Sequence, residues 1–281
     1  MLRIAVPNKG SLSEPAMTML QEAGYRQRRG RELALVDSEN GVEFFFLRPL
    51  DIAVYVGAGR LDVGITGRDM LLDSGAKAEE VMQLGFARST FRYATRPGTV
   101  TSVKEFGGKT VATSYVGLVT EHLRRNGVEA EVVHLDGAVE ISIQLGVADV
   151  IADVVETGST LRSAGLEIID EPIMESEAIV IRRAGAPADD PKVRQFLRRM
   201  QGVLVARQYV MMEYDIRVEH LEKAAALTPG LESPTISPLH REGWVAVRSM
   251  VLAEDAQRIM DDLYELGGRA LLTTSIHACR L

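Results

Sequence analysis

Between residues 148 and 161 the chain reads ADVIADVVETGSTL. Aliphatic residues flank a single acid, Asp153, and the run then breaks at Glu156 into Thr157, Gly158, Ser159 and Thr160, which offer three hydroxyls and an unobstructed backbone. A strand that ends in a small, hydroxyl-rich turn and opens a helix presents backbone N–H groups and the helix's positive end to an anion. An acid just before that turn would repel a bare phosphate. It suits sugar hydroxyls, or a magnesium ion held beside the phosphate, so the pattern predicts a place for a phosphorylated sugar.

Other residue types at chemically useful spacings are fewer. In PNKGSL, residues 7–12, Lys9 sits between Asn8 and Gly10 just before a helix. There it either meets a phosphate at the helix N-terminus or is an exposed lysine on a capped turn. In GITGRDM, residues 64–70, Gly67 permits a tight turn, and Arg68 and Asp69 follow a strand. They either grip a base or a phosphate or form a surface ion pair. Arg48 closes the apolar run FFFLRP and either snorkels to water or faces a cleft. The longest ordered set of candidates is Glu140, Gly146, Asp153, Thr157, Gly158 and Thr160, within DGAVEISIQLGVADVIADVVETGSTL.

The elements that must position these residues alternate through the first 180 residues. Short aliphatic strands and amphipathic helices follow one another, as in a parallel sheet wrapped by helices. Strands are expected over 2–6, 42–48, 61–66, 81–87 and 91–96, and again over 109–113, 131–135 and 148–155. Helices are expected after Ser11, with Ser11 and Glu14 as a capping box, and over 51–59, 116–126 and 139–145. One echo bears on architecture: Gly59-Arg-Leu-Asp62-Val and Gly146-Val-Ala-Asp149-Val each lead into a strand, about one lobe apart. It suggests two similar α/β lobes with a cleft at the strand C-termini. After a Pro/Ala/Gly/Asp linker at 182–192 comes an amphipathic helix, then the order βαββαβ from Tyr209, a ferredoxin-like arrangement.

Composition restricts the classes. With 281 residues, 46% hydrophobic and 25% charged, the chain is a folded globular protein of about two domains of ordinary size. A net charge of −7 counts against a nucleic-acid partner, and the short basic cluster RQRRGR at 26–31 reads as a solvated loop. One cysteine, Cys279, excludes an internal disulfide, and the five histidines show no metal-ligand spacing. Neither a signal peptide nor a membrane span is recognisable, so a cytoplasmic protein is expected.

Taken in order, PNKGSL, FFFLRPLDIAVYV, LDVGITGRD, DGAVEIS through TGSTL, and TPGLESPT make the whole chain resemble the long form of ATP phosphoribosyltransferase, the first enzyme of histidine biosynthesis. The resemblance implies two periplasmic-binding-protein-like (type II) α/β lobes around a cleft plus a C-terminal ferredoxin-like regulatory domain. It sets lobe I at 1–90 with 182–208 returning to it, lobe II at 91–181 and the regulatory domain at 209–281. It implies that phosphoribosyl pyrophosphate is held by Asp153, Glu156, Thr157, Gly158, Ser159 and Thr160, and ATP by Lys9, Arg48, Asp69 and Tyr115. Lys9, Arg48 and Asp153 are the implied catalytic groups. Mg2+ is the implied cofactor, carried mainly by the substrate pyrophosphate. L-Histidine is the implied inhibitor, at Asp215, Leu231, Ser233, Thr235 and Ala270, with AMP as a further ligand and a homo-oligomer, dimer and hexamer, as the assembly. The reaction implied is attack of adenine N1 on the ribose C1 with loss of pyrophosphate, which needs no general base. A solute-binding protein would share the two lobes but normally carries an export signal. A base-salvage phosphoribosyltransferase would share the TG-x-T loop but lack GITGRD and the βαββαβ tail.

Overall fold

The computed structural model describes residues 1–26, 30, 32–187 and 189–280. Most of the basic cluster at 26–31, and Ala188 of the linker, therefore lie outside the described residues. In chain order, the first stretch comprises β1 (Leu2–Pro7), α1 (Ser13–Glu22), β2 (Ala34–Asp37), β3 (Val42–Leu47), α2 (Pro49–Gly57), β4 (Val63–Gly67), α3 (Arg68–Ser74) and β5 (Ala78–Gln83). The second comprises β6 (Ser89–Thr95), β7 (Thr110–Thr113), α4 (Val116–Arg125), β8 (Glu131–His134), α5 (Ile141–Gln144), β9 (Val150–Val155), α6 (Ser159–Ser163) and β10 (Glu167–Ser176). Then come β11 (Ala178–Arg183), α7 (Pro191–Gln208), β12 (Tyr209–Arg217), α8 (Leu221–Leu227), β13 (Thr235–Pro238), β14 (Trp244–Leu252), α9 (Ala256–Glu265) and β15 (Arg269–Ser275).

Two sheets of matching plan hold strands β1 to β11, ordered β2-β3-β1-β4-β11-β5 and β10-β6-β9-β7-β8. In each, three neighbouring strands, β3-β1-β4 and β8-β7-β9, run parallel. The expectation of wholly parallel sheets is corrected at the flanks. The chain passes directly from one sheet to the other between β5 and β6 and back between β10 and β11. The strands made by those passages, β6 beside β9 and β11 beside β4, run antiparallel. Because β11 starts at Ala178, the return to the first sheet comes a few residues before the expected boundary at 181. Helix α1 begins at Ser13, two residues past the proposed capping Ser11.

The repeated Gly-x-x-Asp-Val has a physical basis in this plan. Asp62 N donates to the Arg3 carbonyl at 2.9 Å, and its carboxylate accepts from Arg3 N at 2.7 Å. Asp149 does the same with Thr110, at 2.9 and 3.0 Å. Each acid closes a two-bond ring that sets the register of an inner strand (β4, β9) against its neighbour (β1, β7). With both strands aligned at their starts, their C-terminal ends finish together, and the site residues follow those ends.

Aliphatic side chains fill both faces. Ala5, Ile52, Val56, Leu71, Ile179 and Ile181 pack on one face of the first sheet. In the second, Phe91, Tyr93, Phe106 and Val150 lie on one face, and Ile143, Ile151, Val155 and Leu161 on the other. Gly64 is required because a Cβ there would meet Ile52 Cγ2 at 2.5 Å.

The chain divides into two compact units, residues 1–18 with 26–193, and 19–25 with 194–281. Most of α7 thus groups with the C-terminal unit and not with the first lobe, as the expected return of 182–208 had it. Within that unit the strand order is β13-β14-β12-β15, all antiparallel. This is the ferredoxin-like order, cored by Met212, Tyr214, Val247, Ile259 and Leu263. No described helix is long and apolar enough to cross a membrane.

Candidate functional site

The site is built on the C-terminal ends of the parallel strands β1, β3, β4, β7 and β9. Val6–Pro7 of β1 lie beside Phe46–Leu47 of β3, and Asn8 N donates to Leu47 O at 2.9 Å. Lys9 and Arg48 therefore leave adjacent strand ends. Both are exposed, and neither has an ion-pair partner among the described residues. Arg48 is the N-cap of α2, with Pro49 fixing the first turn. Beside Lys9, the Oδ1 of Asn8 is buried and unpartnered, an acceptor left over in the loop.

On the other side of β1, β4 runs into α3. Arg68 and Asp69, adjacent in sequence, have opposite fates. The guanidinium of Arg68 forms a two-pronged pair with Glu80 at 2.8 and 2.9 Å and reaches Glu177 at 3.5 Å. These contacts hold its charge on and the Glu80 carboxyl below its usual range, the hydrogen bond being the largest cause. The ion-pair reading applies to Arg68. Asp69 is buried instead, accepting from Ser176 Oγ at 2.8 Å while its own N–H donates to the same oxygen at 3.1 Å. Its carboxylate folds back over Gly67, where a Cβ would collide with Oδ1.

From the second sheet, Tyr115 follows β7 as the N-cap of α4, its ring edge-on to Phe91 at 5.1 Å. Burial pushes the phenol far above its usual range. The charge of Asp69, a hydrogen bond to that carboxylate, and the charges of Asp153 and Asp73 act in the same sense. The phenol thus stays protonated as a donor. It lies within electrostatic reach of Asp69 from the first lobe and Asp153 from the second.

Asp153 lies in β9 with the loop 156–160 following it. Burial and then the neighbouring Glu140 raise its pKa, partly offset by the Val154 N–H at 2.7 Å. With Glu140 and residues 154–161 it lines a cavity of about 320 Å3. Gly158, the N-cap of α6, has φ +69°, the left-handed conformation that the turn requires. Thr157 Oγ1 and Ser159 Oγ lie 3.0 Å apart, and Arg162 Nη2 donates to Thr157 O at 3.1 Å. Glu156, Thr157, Ser159 and Thr160 are exposed. A second cavity, about 460 Å3, shares Val155 and Glu156 with the first and adds Arg68, Arg88 and Ser89.

In the C-terminal unit, a cavity of about 370 Å3 opens on the sheet face away from the helices. It gathers Asp215, Thr235 and Ala270 of the expected effector residues, along with Glu213, Ser237 and Arg248. Arg248 pairs with Glu213 at 2.8 Å. Leu231 and Ser233 are exposed in the loop before β13 and do not line this cavity. Ala270 has φ +51°.

Sequence reasoning passed over Glu140 as a modulator of Asp153, Ser176 as the partner of Asp69, Asp73, and Arg88 and Arg162. Asp73 had a readable signal, lying four residues after Asp69 and hence on the same helix face. Ser176 had none, because it is brought to Asp69 by the crossing at β10.

Two similar lobes, with convergent polar residues at facing strand ends, define a small-molecule-binding fold of the type II periplasmic-binding-protein-like kind, here followed by a ferredoxin-like domain. The family model for ATP phosphoribosyltransferase matches residues 48–202, and the model for its C-terminal domain matches 206–278. ATP phosphoribosyltransferases of Streptomyces avermitilis and Streptomyces coelicolor are 71% and 70% identical over 285 residues, covering all of both chains. A solved chain of the ATP phosphoribosyl transferase (HisG:HisZ) complex from Thermotoga maritima is 29% identical, with TM-score 0.64, over 72% of this chain and 97% of that one. The chain belongs to the ATP phosphoribosyltransferase family of pentosyltransferases, which act at the first step of histidine biosynthesis.

Proposed function

We propose that the facing strand ends divide the two substrates, with ATP on Lys9, Arg48, Asp69 and Tyr115 and phosphoribosyl pyrophosphate on Asp153 and the loop 156–160. The observation that carries this reading is the place of Tyr115 at the head of α4, which is held by Asp73 of the other lobe, so that its phenol feels the charges of both Asp69 and Asp153. Asp69 accepts from the adenine amino group, and Tyr115 offers an aromatic edge. Asp153 accepts from the ribose hydroxyls, and the backbone and hydroxyls of 157–160 surround the 5-phosphate. Lys9 and Arg48, free of competing acids, offset the charge of the polyanions.

Adenine N1 attacks C1 of the ribose with its own lone pair as the C1–O bond to pyrophosphate breaks. No side chain need remove a proton for this step. The protein's part is to align the two substrates and stabilise charge as it develops. Among the described residues no group of three His, Cys, Asp or Glu side chains is placed to hold a metal. Magnesium enters in this reading with the pyrophosphate, as the family resemblance implies, where it would make the leaving group easier to expel. L-Histidine is assigned to the outer-face cavity of the ferredoxin-like domain, with Asp215 meeting its ammonium or imidazole. AMP and self-association into dimers and hexamers are carried as further proposals on the family resemblance.

The test is to mix ATP, phosphoribosyl pyrophosphate and magnesium with the full chain and follow the ultraviolet change of N1-substituted adenine. Turnover with a free base and none with ATP would overturn the substrate assignment.

A further inference from the structure

A tyrosine is a poor start for a helix. The N-cap position favours Ser, Thr, Asp or Asn, whose side-chain oxygen accepts from the N–H two or three residues on. Tyr115 occupies that position in α4 and makes no side-chain cap, its hydroxyl lying at the far end of a rigid ring. The N–H of Leu118, three residues on, is nevertheless satisfied: Asp73 Oδ1 from α3 accepts it at 3.0 Å. A carboxylate there also meets the positive end of the helix dipole.

The approach is close enough that a side chain is excluded at one position in the first turn of α4. A Cβ on Gly117 would collide with the backbone carbonyl of Asp73. Asp69 and Asp73 are one helical turn apart on α3 and so share a face. Asp69 lies within electrostatic reach of the Tyr115 phenol, and Asp73 holds the backbone that carries it. Asp73 also contributes to keeping the phenol protonated.

We infer that Asp73 is a positioning residue for the nucleotide: by capping α4 from the opposite lobe it fixes where Tyr115, at the head of that helix, stands relative to Asp69. The inference rests on the proposed assignment of Asp69 and Tyr115 to the ATP side. Its consequence is selective, since the loop at 156–160 makes no contact with Asp73 among the interactions described above.

The experiment compares steady-state kinetics of Asp73→Ala, Asp73→Asn, Gly117→Ala and Asp69→Ala in the full chain. Asp73→Ala is expected to raise KM for ATP about tenfold, equivalent to about 1.4 kcal/mol, and to leave KM for phosphoribosyl pyrophosphate within about twofold. Asp73→Asn keeps an acceptor oxygen and should recover most of the loss. Gly117→Ala forces α3 and α4 apart and should reproduce the ATP-selective rise, which provides a second route if Asp73→Ala does not fold. The inference is overturned if both Michaelis constants rise together in step with a fall in Tm, or if Asp73→Ala and Gly117→Ala leave KM for ATP unchanged while Asp69→Ala raises it. If Asp69→Ala is also silent towards ATP, the adenine assignment itself fails and the inference falls with it.

Discussion

Gly158 is where backbone conformation and substrate binding are most tightly joined. Its φ of +69° and ψ of 9° put it in the left-handed region, which costs a residue with a Cβ roughly 1–2 kcal/mol. An added Cβ would also meet Arg162 Nη1 at 3.1 Å, Ile168 Cδ1 at 3.3 Å and Val155 Cγ1 at 3.7 Å. Arg162 can swing away, but it then releases its bond to Thr157 O and loosens the loop further. Gly158→Ala should thus shift the loop from its binding shape by about 1–2 kcal/mol, a factor of roughly 5 to 30. That factor should appear in KM for phosphoribosyl pyrophosphate, measured from initial rates at saturating ATP, and not in KM for ATP. Gly158→Val, β-branched in the same conformation, should be worse.

Gly127 supplies the control, because it too has φ +68° but a Cβ there meets nothing within 4 Å. Gly127→Ala should carry the same backbone penalty and a Tm loss of a few degrees, with both Michaelis constants unchanged. Equal effects of Gly158→Ala and Gly127→Ala on KM for phosphoribosyl pyrophosphate, or a rise confined to ATP, would refute the assignment of the loop.

Asp153 is the second test. Its pKa is raised in the fold, so folding disfavours the ionised form, and its contribution to stability falls as pH rises from the unfolded value through the folded one. Asp153→Asn should therefore have the higher Tm at neutral pH, with the gap closing in acid, yet a raised KM for phosphoribosyl pyrophosphate. An Asn variant less stable at neutral pH would contradict this. In the C-terminal unit, Trp244 is the only tryptophan of the chain and stands two residues from Ala246 in the cavity wall. Histidine should perturb its fluorescence and inhibit turnover. Asp215→Ala should lose both responses and keep catalysis, whereas inhibition that survives the substitution would remove Asp215 from the effector site.

Much of this arrangement was legible in the sequence wherever local chemistry decides the outcome. VEFFFL is a strand, as its apolar run implies, and the βαββαβ tail folds in the order that its periodicity predicts. The TGST turn could be read because a glycine between hydroxyls, after a strand, has few other uses. What stayed hidden depends on partners remote in sequence. Nothing in GRDM tells Arg68 from Asp69, since their fates are set by Glu80, Ser176 and Glu177, of which two arrive only through the crossing between β10 and β11. The antiparallel flanks were missed for the same reason, because a strand that changes sheet has the same composition as one that does not.

The distribution of positive charge ties these points together. A chain of net charge −7 that binds two polyanions must keep some cations uncommitted near the site. Arg68, though beside Asp69, is already satisfied by Glu80 and Glu177, and Arg182 by Glu79. Lys9 and Arg48, at neighbouring strand ends, have no such partner among the described residues. Their position follows from the parallel register of β1 and β3, in which Pro7 is matched to Leu47 and both chains turn at the same level. A one-residue slip there would reverse which face each side chain takes. The ring formed by Asp62 and Arg3 at the other end of β1 holds β1 and β4 in register at their starts, just as Asp149 and Thr110 do in the second lobe. Acids placed before the strands thus help to level the ends from which Lys9 and Asp69 depart in the first lobe, and Tyr115 and the loop at 156–160 in the second.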